Sequence, residues 1–314
     1  MNFLFTKLLM ILYFSAFILA NDVGEGLSGQ ELINFLKEEY TPSSILSYDK
    51  ARDTLYQVIE RNEDGAVNTI YSNYMGSFSL GQDPSSTLYS QGIDCEHLWP
   101  QSMYDGTDPK SDMHHLRPCK GSVNNYRGNK PYNEIFDDDV QYWFLNDLQL
   151  TYKPNNDFLY SEGNSAYFEP RESVKGDIAR SLFYVATIYD YSVEADFFDL
   201  QKDVLKYWHY IDPPNEEELN RSWEIAYYQS IKPNPFILDS SLVERAYFNN
   251  SNEIIGNINL DDILDIRDLL MIMDNILNNT SITVPQFIIS DVNYDYEINV
   301  VDVIALIQII LGET

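Results

Sequence analysis

Three short blocks concentrate the residues of this chain that could act on a phosphate ester. They are Asp94-Cys-Glu-His-Leu-Trp-Pro-Gln-Ser102, Ser111-Asp-Met-His-His-Leu-Arg-Pro118 and Val123-Asn-Asn-Tyr-Arg-Gly-Asn-Lys130. Glu96 offers a hard carboxylate oxygen and Asn124 an amide oxygen. His97 is the side-chain type whose ordinary pKa lets it take a proton near neutral pH. Together these types suit a one-metal phosphodiesterase, with Glu96 and Asn124 on a divalent ion and His97 taking the proton of an attacking water. A neutral imidazole is needed for that role, so activity is expected to rise through about pH 6.5. Between Met113 and Asn133, Arg117, Lys120, Arg127 and Lys130 stand with no acidic residue among them. That is either a phosphate patch or a basic face that pairs with surrounding carboxylates. His114 and His115 diverge if residues 113–117 form a strand, and no His-Glu-x-x-His sequence exists, so no shared zinc is expected.

These residues need a hairpin and a helix behind them. On an ideal strand the neighbours Glu96 and His97 point to opposite faces; Pro100 ends the strand and is expected to let both reach one site. Two strands followed by a helix from about Lys120 would bring Glu96, His97 and Asn124 together. A cross-strand disulfide between Cys95 and Cys119, the only cysteines, is the pairing such a hairpin suggests. Ser28 and Glu31 have capping-box spacing ahead of Leu32, Ile33 and Leu36, which predicts a helix. Further helices are predicted near 50–61, 178–191, 199–210 and 215–230, the last two parted by Asp212-Pro-Pro214. Residues 72–94, rich in Gly and Ser, read as loop. His209 belongs to no motif and reads as a packed histidine.

The chain has 314 residues, room for roughly two domains. Acidic residues outnumber basic ones 49 to 20, so contact with phosphate must be local rather than a property of the whole surface. Residues 1–20 carry Lys7, an apolar run from Leu8 to Leu19 broken by Ser15, and Ala20 before Asn21-Asp22. This predicts a secretory signal peptide and a secreted protein.

After Asn249 the composition changes: residues 251–314 hold eleven acidic side chains against Arg267 alone. Ile254-Ile-Gly-Asn-Ile-Asn-Leu-Asp261 repeats as Ile288-Ile-Ser-Asp-Val-Asn-Tyr-Asp295, an offset of 34. Oxygen-bearing side chains fall at positions 1, 3, 5, 9 and 12 of each copy: Asn257, Asn259, Asp261, Asp265 and Asp268, then Asp291, Asn293, Asp295, Asn299 and Asp302. Position 7, Ile263 or Glu297, would add a backbone carbonyl, and the implied ion is calcium. Each loop runs into an apolar helix. The unit resembles a dockerin, the calcium module that joins secreted enzymes to cohesin partners. The resemblance implies partner-reading residues at Ile266-Arg267 and Val300-Val301. Position 6, usually glycine, is Asp262 and Tyr296, and position 1 of the first loop is Asn257 rather than Asp, so the first site is expected to bind more weakly.

The catalytic blocks resemble the endonuclease I family of nucleases with a ββα-metal (His-Me finger) site. The likeness continues through Gly176-Asp-Ile-Ala-Arg180, Asp212-Pro-Pro214 and Asn234-Pro-Phe-Ile237. It implies His97 as general base, Glu96 and Asn124 as ligands of a magnesium-like ion, and Arg117, Arg127 and Lys130 as phosphate contacts. It also implies a substrate that is DNA, and often RNA, cut with little sequence preference to 5'-phosphate products. The expected architecture is an α+β catalytic domain with an embedded ββα-metal motif over residues 21–248. A linker at 249–253 and a small all-α module of two calcium loop-helix repeats at 254–314 follow. Two rivals are an inactive calcium-dependent binding or scaffold protein and a nuclease restricted to RNA or single strands.

Overall fold

Leu32 and Leu36, one turn apart, are the buried residues of the first helix, α1 (Gly29–Tyr40), as the spacing after Ser28 predicts. Ser28 takes extended N-cap dihedrals, although its side chain makes no capping bond. The computed structural model describes residues 23–248, 255–261, 263–278, 280, 284–293 and 298–312. The expected signal peptide at 1–20, the linker at 249–253, and Asp295 and Glu297 lie outside them. Helix α2 (Tyr48–Thr54) runs on as a π turn to Ile59, where one helix was predicted.

The stretch 72–94 is not all loop. Strands β1 (Ala66–Asn68) and β2 (Met75–Ser77) pair antiparallel, helix α3 (Pro84–Ser90) follows, and β3 (Ile93–His97) begins inside it. The start signal for α3 is Asp83, which accepts from the Ser86 N–H at 2.6 Å, with Pro84 in the first turn. Strand β3 pairs antiparallel with β4 (Leu116–Lys120), and helix α4 (Gly121–Arg127) leaves β4 directly. Gly128, at φ +54°, ends α4 in a conformation that suits glycine. Strands β5 (Tyr142–Leu145), β6 (Leu148–Leu150), β7 (Ser161–Gly163) and β8 (Phe168–Glu169) form an antiparallel sheet of order β6-β5-β7-β8.

Helix α5 (Lys175–Ile188) is buried on nearly every side and packs on α6 (Lys202–Ile211), while α7 (Glu216–Tyr228) starts at an Asn215 cap. Inside α5, Arg180 meets Glu218 through two contacts of 2.8 and 2.6 Å, a buried charge satisfied as such charges must be. His209 is packed as expected, with Nε2 2.9 Å from the Ser240 carbonyl.

Because side chains alternate along a strand, the β3–β4 ribbon separates two cores. Leu98 and Cys119 join Leu32, Tyr71, Val123 and the α5 residues on one side. Ile93, Cys95 and Leu116 join Leu55, Tyr56, Phe78, Leu88 and Ile225 on the other. Trp99, wholly buried against Phe197 and Phe198, pins the chain just beyond β3.

The C-terminal unit is all α among its described residues: α8 (Ile266–Asn278), α9 (Val284–Ser290) and α10 (Val300–Leu311), around Ile258, Ile272, Ile289, Val292 and Leu306. Gly256, at φ +88°, leads into the first loop where a Cβ would collide with Leu306. Helix α9 was not foreseen; it lies on α6, with Phe287 edge-on to Tyr207 at 5.1 Å. No helix among the described residues is long and apolar enough to cross a membrane. The mixture of helices and small antiparallel sheets is that of an α+β domain.

Candidate active site

Strand β3 ends at His97, so Glu96 and His97 leave its last two positions toward opposite faces, just before the chain bends at Leu98 and Trp99. The register sets Glu96 beside Arg117 and His97 beside Leu116, each pair sharing a face.

His97, 4% exposed, enters a ring cluster: Tyr48 stacks on it at 5.5 Å and His115 meets it edge-on at 5.7 Å. Its Nε2 lies 3.0 Å from the Lys110 carbonyl and its Nδ1 3.0 Å from Nε2 of Gln101. A carbonyl only accepts, so Nε2 carries the proton and Nδ1 is the basic nitrogen. Burial, with His115 beside it, lowers the His97 pKa to about 3. The imidazole is therefore neutral across the physiological range.

Glu96, 3% exposed, occupies the face toward α4. Its Oε1 accepts from the Tyr71 hydroxyl at 2.7 Å and from Nη1 of Arg127 at 3.2 Å, and the Tyr71 and Tyr132 hydroxyls are 2.5 Å apart. Burial raises the Glu96 pKa, opposed by Arg127 and Tyr71. Arg127 also donates to the carbonyls of His97 at 3.3 Å and Leu98 at 2.7 Å, so the last turn of α4 clamps the end of β3. Asn124, half-buried, stands three residues before Arg127 and so on the same face of α4. Glu96 and Asn124 are both hard oxygen donors, the chemistry a magnesium-like ion takes. Among the described residues no three His, Cys, Asp or Glu side chains gather as a chelating group.

The basic patch is mostly engaged inside the protein. Arg127 is 1% exposed and serves Glu96 and two carbonyls rather than a surface. Arg117 contacts Asp177 at 3.1 Å and Glu60 at 3.9 Å on the wall of a cleft of about 810 Å³. Arg171 and Arg221 also line that cleft, but Glu60, Asp177 and four glutamates of α7 outnumber the arginines. Lys120 pairs with Asp147. Lys130 is half-buried, its ammonium 3.9 Å from the Tyr126 ring centroid.

The expected disulfide does not form. Cys95 faces Pro118, and Cys119 faces Asp94 one register step away, so the thiols are free and lie in different cores. Burial pushes the Cys95 thiol up to about 12. The Ser111–Pro118 block is partly structural. Asp112 accepts from the His114 N–H at 2.9 Å, Gln229 at 2.8 Å, Tyr184 at 2.8 Å and Tyr189 at 2.7 Å. His114 and His115 do diverge, though from a 3-10 turn rather than a strand: His114 reaches the Lys232 carbonyl and His115 that of Pro109. Tyr71, Tyr132, Gln101 and the Lys110 carbonyl were not foreseen. Tyr132, at the end of the basic stretch, Gln101, inside the first block, and Lys110, one residue before the second, lay close enough in sequence to be noticed; Tyr71 did not.

In the C-terminal unit, Asp268 accepts from the N–H groups of Asn259 at 3.2 Å and Asp265 at 3.0 Å. Asp302 does the same for Val292, Asn293 and Asn299 at 2.8, 3.3 and 2.8 Å. Asn257 is buried and its Oδ1 has no hydrogen-bond partner among the described residues, which fits an oxygen meant for a cation. In the same loop Arg267 pairs with Asp261 at 2.6 Å and Asp265 at 2.9 Å. Asp291 is buried, and Asn299 caps α10.

A family model described as Endonuclease I matches residues 28–241, ending before the acidic repeat. An extracellular ribonuclease of Bacillus subtilis (strain 168) is 31% identical over 235 residues, 68% of this chain and 73% of that protein. An extracellular ribonuclease of Bacillus amyloliquefaciens is 34% identical over 160 residues, 45% of this chain and 49% of the relative.

Proposed function

The chain belongs to the endonuclease I family and is a nuclease, a phosphodiester hydrolase, and on that premise we propose a secreted, metal-dependent endonuclease of low sequence preference that cuts RNA and DNA to 5'-phosphate products. The observation that carries the reading is His97, a buried, neutral imidazole whose Nε2 is committed to the Lys110 carbonyl. Its Nδ1 is then the nitrogen that takes the proton of the attacking water. Glu96 and Asn124 would hold a magnesium-like ion, which when bound supplies positive charge against the scissile phosphate and the leaving 3' oxygen. Tyr71 and Arg127 orient the Glu96 carboxylate for that role. Of the three, Lys130 is the best-exposed candidate for a phosphate contact, its ammonium held, among the described residues, only by the Tyr126 carbonyl and ring; Arg117 and Arg127 are committed to carboxylates.

Secretion is supported by the leader-like residues 1–20 and by the extracellular relatives. The relatives' names favour RNA as a substrate. We further propose that the C-terminal loops bind calcium, on the strength of the unpartnered Asn257 Oδ1 and the buried Asp268 and Asp302. A cohesin-type partner would meet Ile266, Leu270 and Leu277 on α8 and Val300, Ile304 and Leu311 on α10, all exposed at equivalent positions of the two repeats. The test is cleavage of RNA, single-stranded DNA and plasmid by the full chain, with and without magnesium, at fixed calcium. Magnesium-dependent cleavage of all three is expected. Cleavage of RNA alone would favour the narrower nuclease, and no cleavage by folded protein would sink the reading.

A further inference from the structure

Gln101 is an exposed residue in a 3-10 turn, yet its amide nitrogen lies 3.0 Å from Nδ1 of the nearly buried His97. The turn is held from both sides. Leu98 and Trp99 are buried ahead of it, and the Trp99 indole donates to the Met103 carbonyl at 3.2 Å behind it. Gln101 therefore reaches back four residues to the ring from a fixed base. Its amide has one sensible orientation: with the Nε2 proton committed to Lys110, Nδ1 presents a lone pair, which an N–H satisfies and a carbonyl oxygen would repel. Tyr48, Tyr104 and His115 surround the ring elsewhere, so the Gln101 side chain is the group that stands between the basic nitrogen and solvent.

We propose that Gln101 is the positioning residue of the active site, fixing the tautomer and rotamer of His97 so that Nδ1 is aimed outward for the attacking water. The proposal rests on the reading of His97 as general base. In the free enzyme the Gln101 N–H meets Nδ1; it would yield that lone pair to the attacking water while its side chain stays against the ring and keeps it from turning. The Lys110 carbonyl holds the far nitrogen throughout, and the two partners together leave the ring one orientation.

The experiment compares Gln101→Ala, Gln101→Glu and His97→Ala with wild type in the full chain, all with magnesium and calcium present. Steady-state kinetics on RNA is read beside the ring-nitrogen NMR signals of isotope-labelled histidine, which four histidines make assignable. Gln101→Ala should lose roughly ten- to a hundredfold in kcat, the loss of an orienting partner, with KM little changed. Its His97 signals should move toward a mixture of tautomers. Gln101→Glu keeps the length but has no N–H, and should lose at least as much. Wild-type kcat and unchanged His97 signals in Gln101→Ala, beside an inactive His97→Ala, would overturn the proposal and leave the general base standing. Full activity in His97→Ala would overturn both.

Discussion

The two faces of the β3–β4 ribbon treat adjacent residues in opposite ways. On the α4 face Glu96 is paired with Arg127 and hydrogen-bonded by Tyr71, so a charge is built into the fold and balanced there. On the other face His97 sits among rings and is kept neutral, its two nitrogens held by a carbonyl and an exposed amide. The difference teaches that strand alternation gives neighbouring residues separate environments, which on the proposed reading lets one dipeptide supply both a cation ligand and an uncharged base. It also predicts that damage on the two faces is felt differently: as lost turnover on one, as lost stability on the other.

The largest expected effect is on the neutral face. His97→Ala should reduce kcat by roughly a hundred- to ten-thousandfold, read on protein whose circular dichroism shows the native fold, with a smaller cost in the urea midpoint from the lost ring. On the charged face, Arg127→Met should destabilise the protein by roughly 3–5 kcal/mol, because it leaves Glu96 buried without its counter-charge. Urea unfolding of that variant and of Arg127→Met/Glu96→Gln separates the causes: the double variant should recover part of the loss. Equal damage in single and double variants would break the comparison.

Acid should act through the fold before it acts through the base. Burial lowers the pKa of His97, His114, His115 and His209, so the unfolded chain binds more protons than the native one below the ordinary histidine value. Stability from these groups is complete above about pH 6.5 and falls as pH drops toward 3. Activity per folded molecule should then stay level through pH 6.5, in place of the rise there that the unperturbed histidine value implies. A sigmoidal loss centred near pH 6.5 in fully folded protein would contradict this. The smallest effect concerns the first C-terminal loop, where Arg267→Ala frees Asp261 and Asp265; calcium titration followed by calorimetry should show a modestly tighter first site.

The hairpin and helix that carry Glu96, His97 and Asn124 were legible because they are local, as were the helices marked by apolar spacing, α8 and α10 of the C-terminal unit among them. The rest depended on register and on distant partners. Strand alternation, kept up to the last residue of β3, sets Glu96 toward Tyr71 and Arg127 and His97 toward Tyr48 and His115, partners that no local signal names. No sequence signal sets Cys95 opposite Pro118 rather than Cys119. Charge counting could not tell that Arg127 points inward to Glu96, or that Tyr71, 25 residues before it, completes the same network.

The central claim is the division of labour across the ribbon, and a magnesium titration of RNA cleavage by wild type, His97→Ala and Glu96→Gln tests it most directly. His97→Ala should lower the plateau and leave the magnesium concentration for half-maximal activity unchanged. Glu96→Gln should raise that concentration by roughly tenfold or more. A shifted magnesium requirement in His97→Ala, or an unshifted one in Glu96→Gln, would contradict the account.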